Sequence, residues 1–112
     1  MSYGRRELLK GNTDSLLLSL LEAEPMYGYQ VIKEMERRSQ GYFKFREGTL
    51  YPALHRLEKD GLVEGRWQQT PGGQDRRYYY LTAKGRAVRE AKRAEWEGFS
   101  TAVNRVISPR LA

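Results

Sequence analysis

Apolar residues recur every three or four positions in four stretches of the chain, a spacing typical of helices with one buried face. Between the third and fourth stretches the pattern changes to runs rich in β-branched and aromatic residues, which are typical of strands. We therefore expect helices over 13–24, 26–38 and 49–60, strands over 62–69 and 77–82, and a helix over 83–107. A short aromatic segment, 42–46, is expected to be extended. This order predicts a mainly α protein with a small β hairpin.

The third predicted helix separates apolar from basic residues most clearly. Leu50, Leu54 and Leu57 recur at helical spacing and define a buried face. The opposite side and its margins carry the polar and basic residues Thr49, Tyr51, Pro52, His55, Arg56 and Lys59. A short helix with one apolar and one basic, hydrogen-bonding face suits nucleic acid as a partner. An ordinary solvated surface helix is the alternative.

The ends of this helix also have sequence signals. Thr49 is expected to be the N-cap, which would place Pro52 in the first turn, where its missing N–H costs nothing. Gly61 is expected to end the helix in the left-handed conformation. The helix is thus predicted to be short and bounded on both sides.

The first two helices are expected to form the core. The first carries leucines around most of its circumference: Leu16, Leu17, Leu18, Leu20 and Leu21. Such a helix is either sandwiched between its own domain and a partner subunit or fully buried in its own core. In the second, Val31, Ile32 and Met35 form the buried stripe, and Gly28 on the same side would let another backbone approach closely.

The two predicted strands flank a loop, 70–75, whose proline and glycines favour a hairpin. Arg66, Arg76 and Arg77 lie on this hairpin. A two-stranded ribbon with arginines near its tip is a common device for contacting phosphates or the minor groove. An edge hairpin whose charges prevent aggregation is the alternative. Because the hairpin follows a basic helix, we favour the functional interpretation, and three helices followed by a hairpin make a winged helix-turn-helix.

The last predicted helix carries an apolar seam. Trp96, Phe99, Val103 and Val106 follow one another at spacings of 3, 4 and 3 residues, typical of a helix that packs on another helix. We interpret the seam as a dimerisation surface; folding back onto its own domain is the alternative. The 112 residues are thus expected to comprise a winged helix-turn-helix over 1–82 and a dimerisation helix over 83–112.

The amino-acid composition limits the kinds of function that this chain can have. Lys and Arg number 20 against 14 Asp and Glu, so the formal net charge is +6, which favours a polyanionic partner or an acidic membrane surface. No segment approaches the ~20 apolar residues that span a bilayer, and residues 1–11 form a short basic arm without the layout of a secretory signal. Cysteine is absent, which excludes disulfides and thiolate metal sites and is consistent with the cytoplasmic location that we expect.

An enzyme is not expected. The chain has one histidine and no glycine-rich loop that opens a helix. Glu34 and Glu36 point to different sides of their predicted helix, so they form no acid/base pair. We therefore expect no catalytic residues, no metal and no cofactor. A basic module that binds RNA, protein or an acidic membrane without operator specificity remains the alternative. The last helix would be the interfacial helix of such a module, with Arg86, Arg89, Lys92 and Arg93 on its polar face. Glutamates interrupt these basic residues.

Several motifs occur together in the order of one known family. They are residues 8–21, Tyr27-Gly28-Tyr29, Gly48-Thr49-Leu50-Tyr51-Pro52, Arg56-Leu57-Glu58, Gly61-Leu62-Val63, Arg76-Arg77-Tyr78-Tyr79-Tyr80-Leu81-Thr82 and Gly85. On these motifs the chain resembles the PadR family of bacterial transcriptional regulators over roughly residues 8 to 86. The C-terminal part is similar only in type, and its single helix resembles the short-tailed members.

The resemblance implies a homodimeric winged-helix repressor that binds a pseudo-palindromic operator and commonly responds to small aromatic effectors. It also implies that Thr49, Tyr51 and residues of the wing, which is the predicted hairpin, approach the DNA. We expect Thr49, Tyr51 and His55 to face base edges or adjoining phosphates. The cations expected to neutralise phosphates are Lys44, Arg46, Arg56, Lys59, Arg76 and Arg77.

Two subunits would hold their recognition helices, the third predicted helix of each copy, about one DNA turn apart, roughly 34 Å. Leu17 and Leu21 of the first helix are expected to share the subunit interface with the seam of the last. Trp96 and Phe99 on that interface could stack on a planar aromatic effector, although aromatic residues in a helix seam are usually just core. The expected partners are therefore double-stranded DNA, a second copy of the chain and a planar aromatic molecule.

Overall fold

The computed structural model describes residues 11–108 as four helices and a three-stranded antiparallel sheet. In chain order the elements are α1 Thr13–Ala23, β1 Met26–Tyr27, α2 Gly28–Arg38, α3 Glu47–Lys59, β2 Val63–Gln69, β3 Asp75–Leu81 and α4 Ala83–Ile107. The mainly helical winged-helix fold and its hairpin are as the sequence predicted. Except for Gly11, the predicted basic arm lies outside the described residues.

The sheet has the strand order β1-β3-β2. In the hairpin, Val63 pairs with Leu81 at the base and Gln69 with Asp75 near the tip. The predicted start of the second helix was wrong, because Met26 and Tyr27 form a strand on the free edge of β3 and the helix begins at Gly28. The two side chains point to opposite faces: Met26 enters the core, and the ring of Tyr27 meets that of Tyr78 edge-on.

α1 lies in the middle of the core. It packs against α2, α3, α4 and β3, so its own domain covers its apolar circumference. Leu17 is 0% exposed and Leu21 is 2% exposed. Their predicted place in a subunit interface was therefore wrong, because neither side chain has surface left for a second copy.

The end of α3 follows the sequence signal. Gly61 has a φ of 77°, its N–H donates to the carbonyl of Glu58 at 3.0 Å, and the N–H of Leu62 donates to that of Leu57 at 2.9 Å. This pair of bonds is a Schellman motif, which satisfies two terminal carbonyls and turns the chain into β2.

The predicted start of α3 was wrong. The helix begins at Glu47 with Arg46 as N-cap, and the N–H groups of Thr49 and Leu50 both donate to the carbonyl of Arg46, at 3.0 and 2.9 Å. Thr49 thus lies in the first turn and Pro52 lies inside the helix. Because proline has no backbone N–H, Pro52 donates no hydrogen bond to the carbonyl of Gly48. Gly48 is an exposed residue in the first turn.

α4 begins against the corner between α3 and β2. The Thr82 hydroxyl accepts a hydrogen bond from the N–H of Gly85 at 3.0 Å and donates to the carbonyl of Gly61 at 2.7 Å. Gly85 is buried so close to Leu62 that a Cβ would lie 2.0 Å from the Leu62 carbonyl oxygen. The predicted bounds of this helix, 83–107, are confirmed. None of the four described helices has the length and the apolar character that a membrane span requires.

Candidate nucleic-acid interface

α3 has the two faces that its sequence predicted. Leu50, Leu54 and Leu57 are each 0% exposed. The exposed residues of the helix are Glu47, Gly48, Thr49, Pro52, His55, Arg56 and Lys59. They form a continuous polar stripe, which we call the α3 stripe, on the side of the helix that faces away from the core.

Tyr51 lies at the border of the α3 stripe. Its side chain is half-buried and packs on Gly28 at the start of α2, where a Cβ would lie 2.2 Å from the tyrosine hydroxyl oxygen. The sequence predicted a close approach of backbone at Gly28, and the structure places a side chain there instead. The lack of a side chain at Gly28 thus leaves room for the ring of Tyr51 between α2 and α3.

Arg56 in the α3 stripe is tied to α1. Its Nη2 lies 2.5 Å from Oδ1 of Asp14, and the arginine side chain is 53% exposed. The ion pair partly neutralises a cation that the sequence assigned to phosphate binding. His55 and Lys59, on the same stripe, are exposed.

The segment before α3 holds two further predicted cations beside the helix N-terminus. Lys44 and Arg46 are exposed, whereas Phe45 between them is only 5% exposed and anchors the segment in the core. The free N–H groups of a helix N-terminus carry partial positive charge. The two cations therefore extend a positive field at the start of α3, which Glu47 partly offsets.

The hairpin has two chemically different faces. On the outer face, the guanidinium of Arg66 lies 4.4 Å from the ring centre of Tyr80, and that of Arg76 lies 5.6 Å from the ring centre of Tyr27. Arg77 points to the other face, toward α3, where it forms an ion pair with Glu58 at 2.7 Å. The two neighbouring arginines, which the sequence treated alike, thus have different surroundings.

One large exposed aromatic residue of the hairpin was not among the predicted site residues. Trp67 is 71% exposed and pairs across the hairpin with Arg77, on the face that turns toward α3. The alternation of Val63, Gly65 and Trp67 along one face of the strand was the available signal. This alternation continues past the end of the core, so the tryptophan is exposed to solvent on the hairpin itself.

The apolar seam of α4 is largely exposed. Trp96 is 50%, Phe99 61% and Val106 79% exposed, and Val103 is partly buried. The rings of Trp96 and Phe99 lie with their centres 5.9 Å apart, tilted by 42°. They border a cavity of about 250 Å³ that is lined by Gly11, Asn12, Ser15, Lys92, Glu95, Trp96 and Phe99.

The carboxyl groups with shifted pKa values lie beside arginines on the surface. Hydrogen bonds from Arg37 and Arg38 lower the pKa of Glu34 to about 2, and a hydrogen bond from Arg66 lowers the pKa of Glu64. The ion pairs of Glu34 lie along α2, and the ion pair of Glu64 lies along β2. In the part of the chain described here, no three histidine, aspartate or glutamate side chains are grouped closely enough to hold a metal ion.

Comparison with known proteins assigns the family. Residues 17–91 match the transcriptional regulator PadR-like family. An uncharacterized protein of Lysinibacillus sphaericus is 33% identical over 92 residues, which cover 82% of this chain and 84% of that one. The crystal structure of a PadR-like transcriptional regulator from Bacillus cereus superposes with a TM-score of 0.83 and 31% identity, covering 91% of this chain and 97% of that one. The structure of a transcriptional regulator from Clostridium thermocellum gives a TM-score of 0.82 and 29% identity, covering 91% and 99%. The chain therefore belongs to the PadR-like family of transcriptional regulators, which are not enzymes.

Proposed function

We propose that two copies of this chain bind a pseudo-palindromic operator in duplex DNA and repress transcription from it. The observation that carries this proposal is the α3 stripe, which is exposed, polar and adjacent to the hairpin. PadR-like regulators bind DNA, and an α-helix fits the major groove of B-form DNA. We assign Thr49, Tyr51 and His55 to base edges or adjoining phosphates; the half-buried Tyr51 would present only its exposed edge.

The cations around the α3 stripe supply affinity without sequence preference. Lys44, Arg46, Lys59 and Arg76 are all exposed, so each can reach a phosphate and release a counterion. Arg56 can join them when the duplex competes with Asp14 for its guanidinium. We leave Arg77 out of this group, because its side chain is less exposed than that of Arg56, 35% against 53%, and its guanidinium packs against Gly65 as well as pairing with Glu58.

The α4 seam supports the homodimer. An exposed row of Trp96, Phe99 and Val106 is unfavourable in water and is typical of a surface that a partner covers. A second copy packed on this row would bring two α3 helices to a fixed separation, and about 34 Å matches one turn of DNA. The seam therefore determines the operator spacing.

A planar aromatic effector is the last part of the proposal. The cavity of about 250 Å³ beside Trp96 and Phe99 lies next to the seam, and its two rings offer surfaces for stacking. A ligand held there would alter the packing of the two copies. DNA affinity would then fall through a change in the separation of the α3 helices.

Selection from a random duplex library tests the proposal. We expect enrichment of an inverted repeat whose half-sites are about one turn apart. The selected duplex is then compared with a scrambled duplex, single-stranded RNA and anionic vesicles in binding assays. Equal affinity for all four would show a basic module without operator specificity and would contradict the proposal. A reporter gene behind the selected site distinguishes repression from activation.

A further inference from the structure

One carboxylate oxygen of α3, the proposed recognition helix, joins both strands of the wing, which is the hairpin of β2 and β3. Oε2 of Glu58, in the last turns of α3, accepts a hydrogen bond from the backbone N–H of Gly65 on β2 at 3.1 Å. The same oxygen accepts a hydrogen bond from Nη2 of Arg77 on β3 at 2.7 Å. Glu58 thus links α3 to two neighbouring points on the hairpin.

Gly65 provides the space for this arrangement. A Cβ on Gly65 would lie 2.3 Å from Nε, 2.7 Å from Cζ and 2.8 Å from Nη2 of Arg77. The guanidinium therefore lies directly against the backbone of β2, in the volume that any other side chain at this position would fill. Gly65 is not among the described glycines with a positive φ, so a side chain at this position would conflict with the guanidinium of Arg77 and not with the backbone conformation.

The burial of Arg77 argues against a phosphate contact. Its side chain is 35% exposed, and its Nε is buried without an acceptor among the described residues. Moving Arg77 outward to a phosphate would break its hydrogen bond to Glu58 and leave that carboxylate with only the N–H of Gly65 beside the DNA. Arg76, the next residue, is exposed on the other face, where its Nη2 donates a hydrogen bond to Oε1 of the nearby Gln74.

We infer that Glu58, Gly65 and Arg77 form a clasp that sets the angle of the wing to the recognition helix, so that Glu58 and Arg77 are positioning residues for DNA binding. The inference rests on the proposed binding of DNA by α3 and the hairpin. The strand from Gly65 to Thr70 rises roughly 17 Å at about 3.3 Å per residue. A tilt of about 10° at the clasp would therefore move the tip by about 3 Å, the length of a hydrogen bond.

Neighbouring arginines provide a matched comparison. Binding of the selected duplex is measured by fluorescence anisotropy over a range of salt concentrations for wild type, Arg77→Ala and Arg76→Ala. We expect Arg77→Ala to lower affinity about tenfold, because a tilted wing would break one or two uncharged hydrogen bonds from its tip to DNA. The slope of log affinity against log salt should not change, because the long side chain of Arg76 can follow a shift of about 3 Å and keep its phosphate. Arg76→Ala should reduce that slope by about 0.9, because it removes one cation that neutralises a phosphate.

Two further variants separate the clasp from simple charge effects. Gly65→Ala changes no charge but must displace the guanidinium, so it should lower affinity as Arg77→Ala does, with the same unchanged salt slope. Glu58→Ala removes a negative charge close to DNA and would raise affinity if charge alone mattered; the clasp predicts a loss of affinity. Arg77→Lys keeps a cation within reach of Glu58 and should retain more affinity than Arg77→Ala, even if the alanine variant folds poorly.

The outcomes that would overturn the inference are specific. A salt slope reduced by about 0.9 in Arg77→Ala would make Arg77 a phosphate ligand. Wild-type affinity in both Arg77→Ala and Gly65→Ala would show that the clasp does not position the wing. Failure of the wild-type protein itself to bind any duplex would instead contradict the proposed function, and with it the role of the clasp in DNA binding.

Discussion

The Asp14 carboxylate in the first turn of α1 is ion-paired with Arg56 on the α3 stripe, with 2.5 Å between Oδ1 and Nη2. The pair joins the core helix to the helix that we assign to the major groove. It also places a negative charge beside a cation expected to approach phosphates. We therefore expect Asp14 to oppose DNA binding while it holds Arg56.

Replacing Asp14 by Asn should strengthen DNA binding. The variant removes the negative charge and frees Arg56, so the slope of log affinity against log salt should become steeper by up to about 0.9. Stability should change by less than about 1 kcal/mol, because the pair is substantially exposed. Arg56→Ala serves as the control and should weaken binding. A lower affinity in Asp14→Asn would show that the pair positions α3 rather than restrains Arg56.

Two glycine-to-alanine variants should change stability in opposite directions. At Gly85 a Cβ would lie 2.0 Å from the Leu62 carbonyl oxygen and 2.7 Å from a methyl carbon of Leu81, so α4 must shift at its first turn. We expect Gly85→Ala to lower the free energy of unfolding by about 1–3 kcal/mol. Gly98, in the same helix, has nothing within 4 Å, and Gly98→Ala should raise it by up to about 1 kcal/mol. Urea denaturation measures both, and equal effects would contradict the close contact at Gly85.

Tyr79 should make the fold sensitive to alkaline pH. Burial raises the pKa of its phenol above the ordinary value of 10, since the charged phenolate is poorly solvated in the core. Tyr79 therefore contributes stability that is complete below about pH 10 and is lost as the pH rises through its folded pKa. Tyr79→Phe should make the alkaline fall in the free energy of unfolding less steep. Tyr29→Phe, at a position 56% exposed, is the control; an identical slope in both variants would contradict the burial effect.

A charge on the α4 seam should separate the two copies. Val106 is 79% exposed in the single chain, so Val106→Glu should leave its fold intact while placing a charge in the proposed interface. Thr101→Glu adds the same charge on the opposite side of α4. Sedimentation velocity should show monomers for the first variant and dimers for the second. Dimers in both would place the interface elsewhere, and monomeric wild-type protein would contradict the proposed homodimer.

The helices and the hairpin were predictable because their signals are local. The buried face of α3, its end at Gly61 and the bounds of α4 follow from the spacing of apolar residues and from terminal glycine and threonine residues. β1 was missed because Met26 and Tyr27 become a strand only by pairing with β3, more than fifty residues later in the chain. The start of α3 was misplaced because Thr49 is a good N-cap residue, but the first carbonyl acceptor is that of Arg46.

The site residues show the same limit. Exposure of His55 and Lys59 follows from their place opposite the leucines of α3. The opposite orientations of Arg76 and Arg77 follow from strand alternation, but the partner of Arg77 depends on the packing of α3 against the hairpin. Leu17 and Leu21 were assigned to an interface because an apolar helix does not reveal which of its neighbours come from its own chain.

We propose that the α3 stripe and the wing contact duplex DNA. The most direct test is an NMR titration of ¹⁵N-labelled protein with the selected duplex, in which each backbone amide reports its own surroundings. We predict the largest shift changes at Thr49, His55 and Lys59 and near the hairpin tip around Gly73. Changes confined to the exposed basic side of α4, with α3 unaffected, would show that DNA does not bind at the α3 stripe.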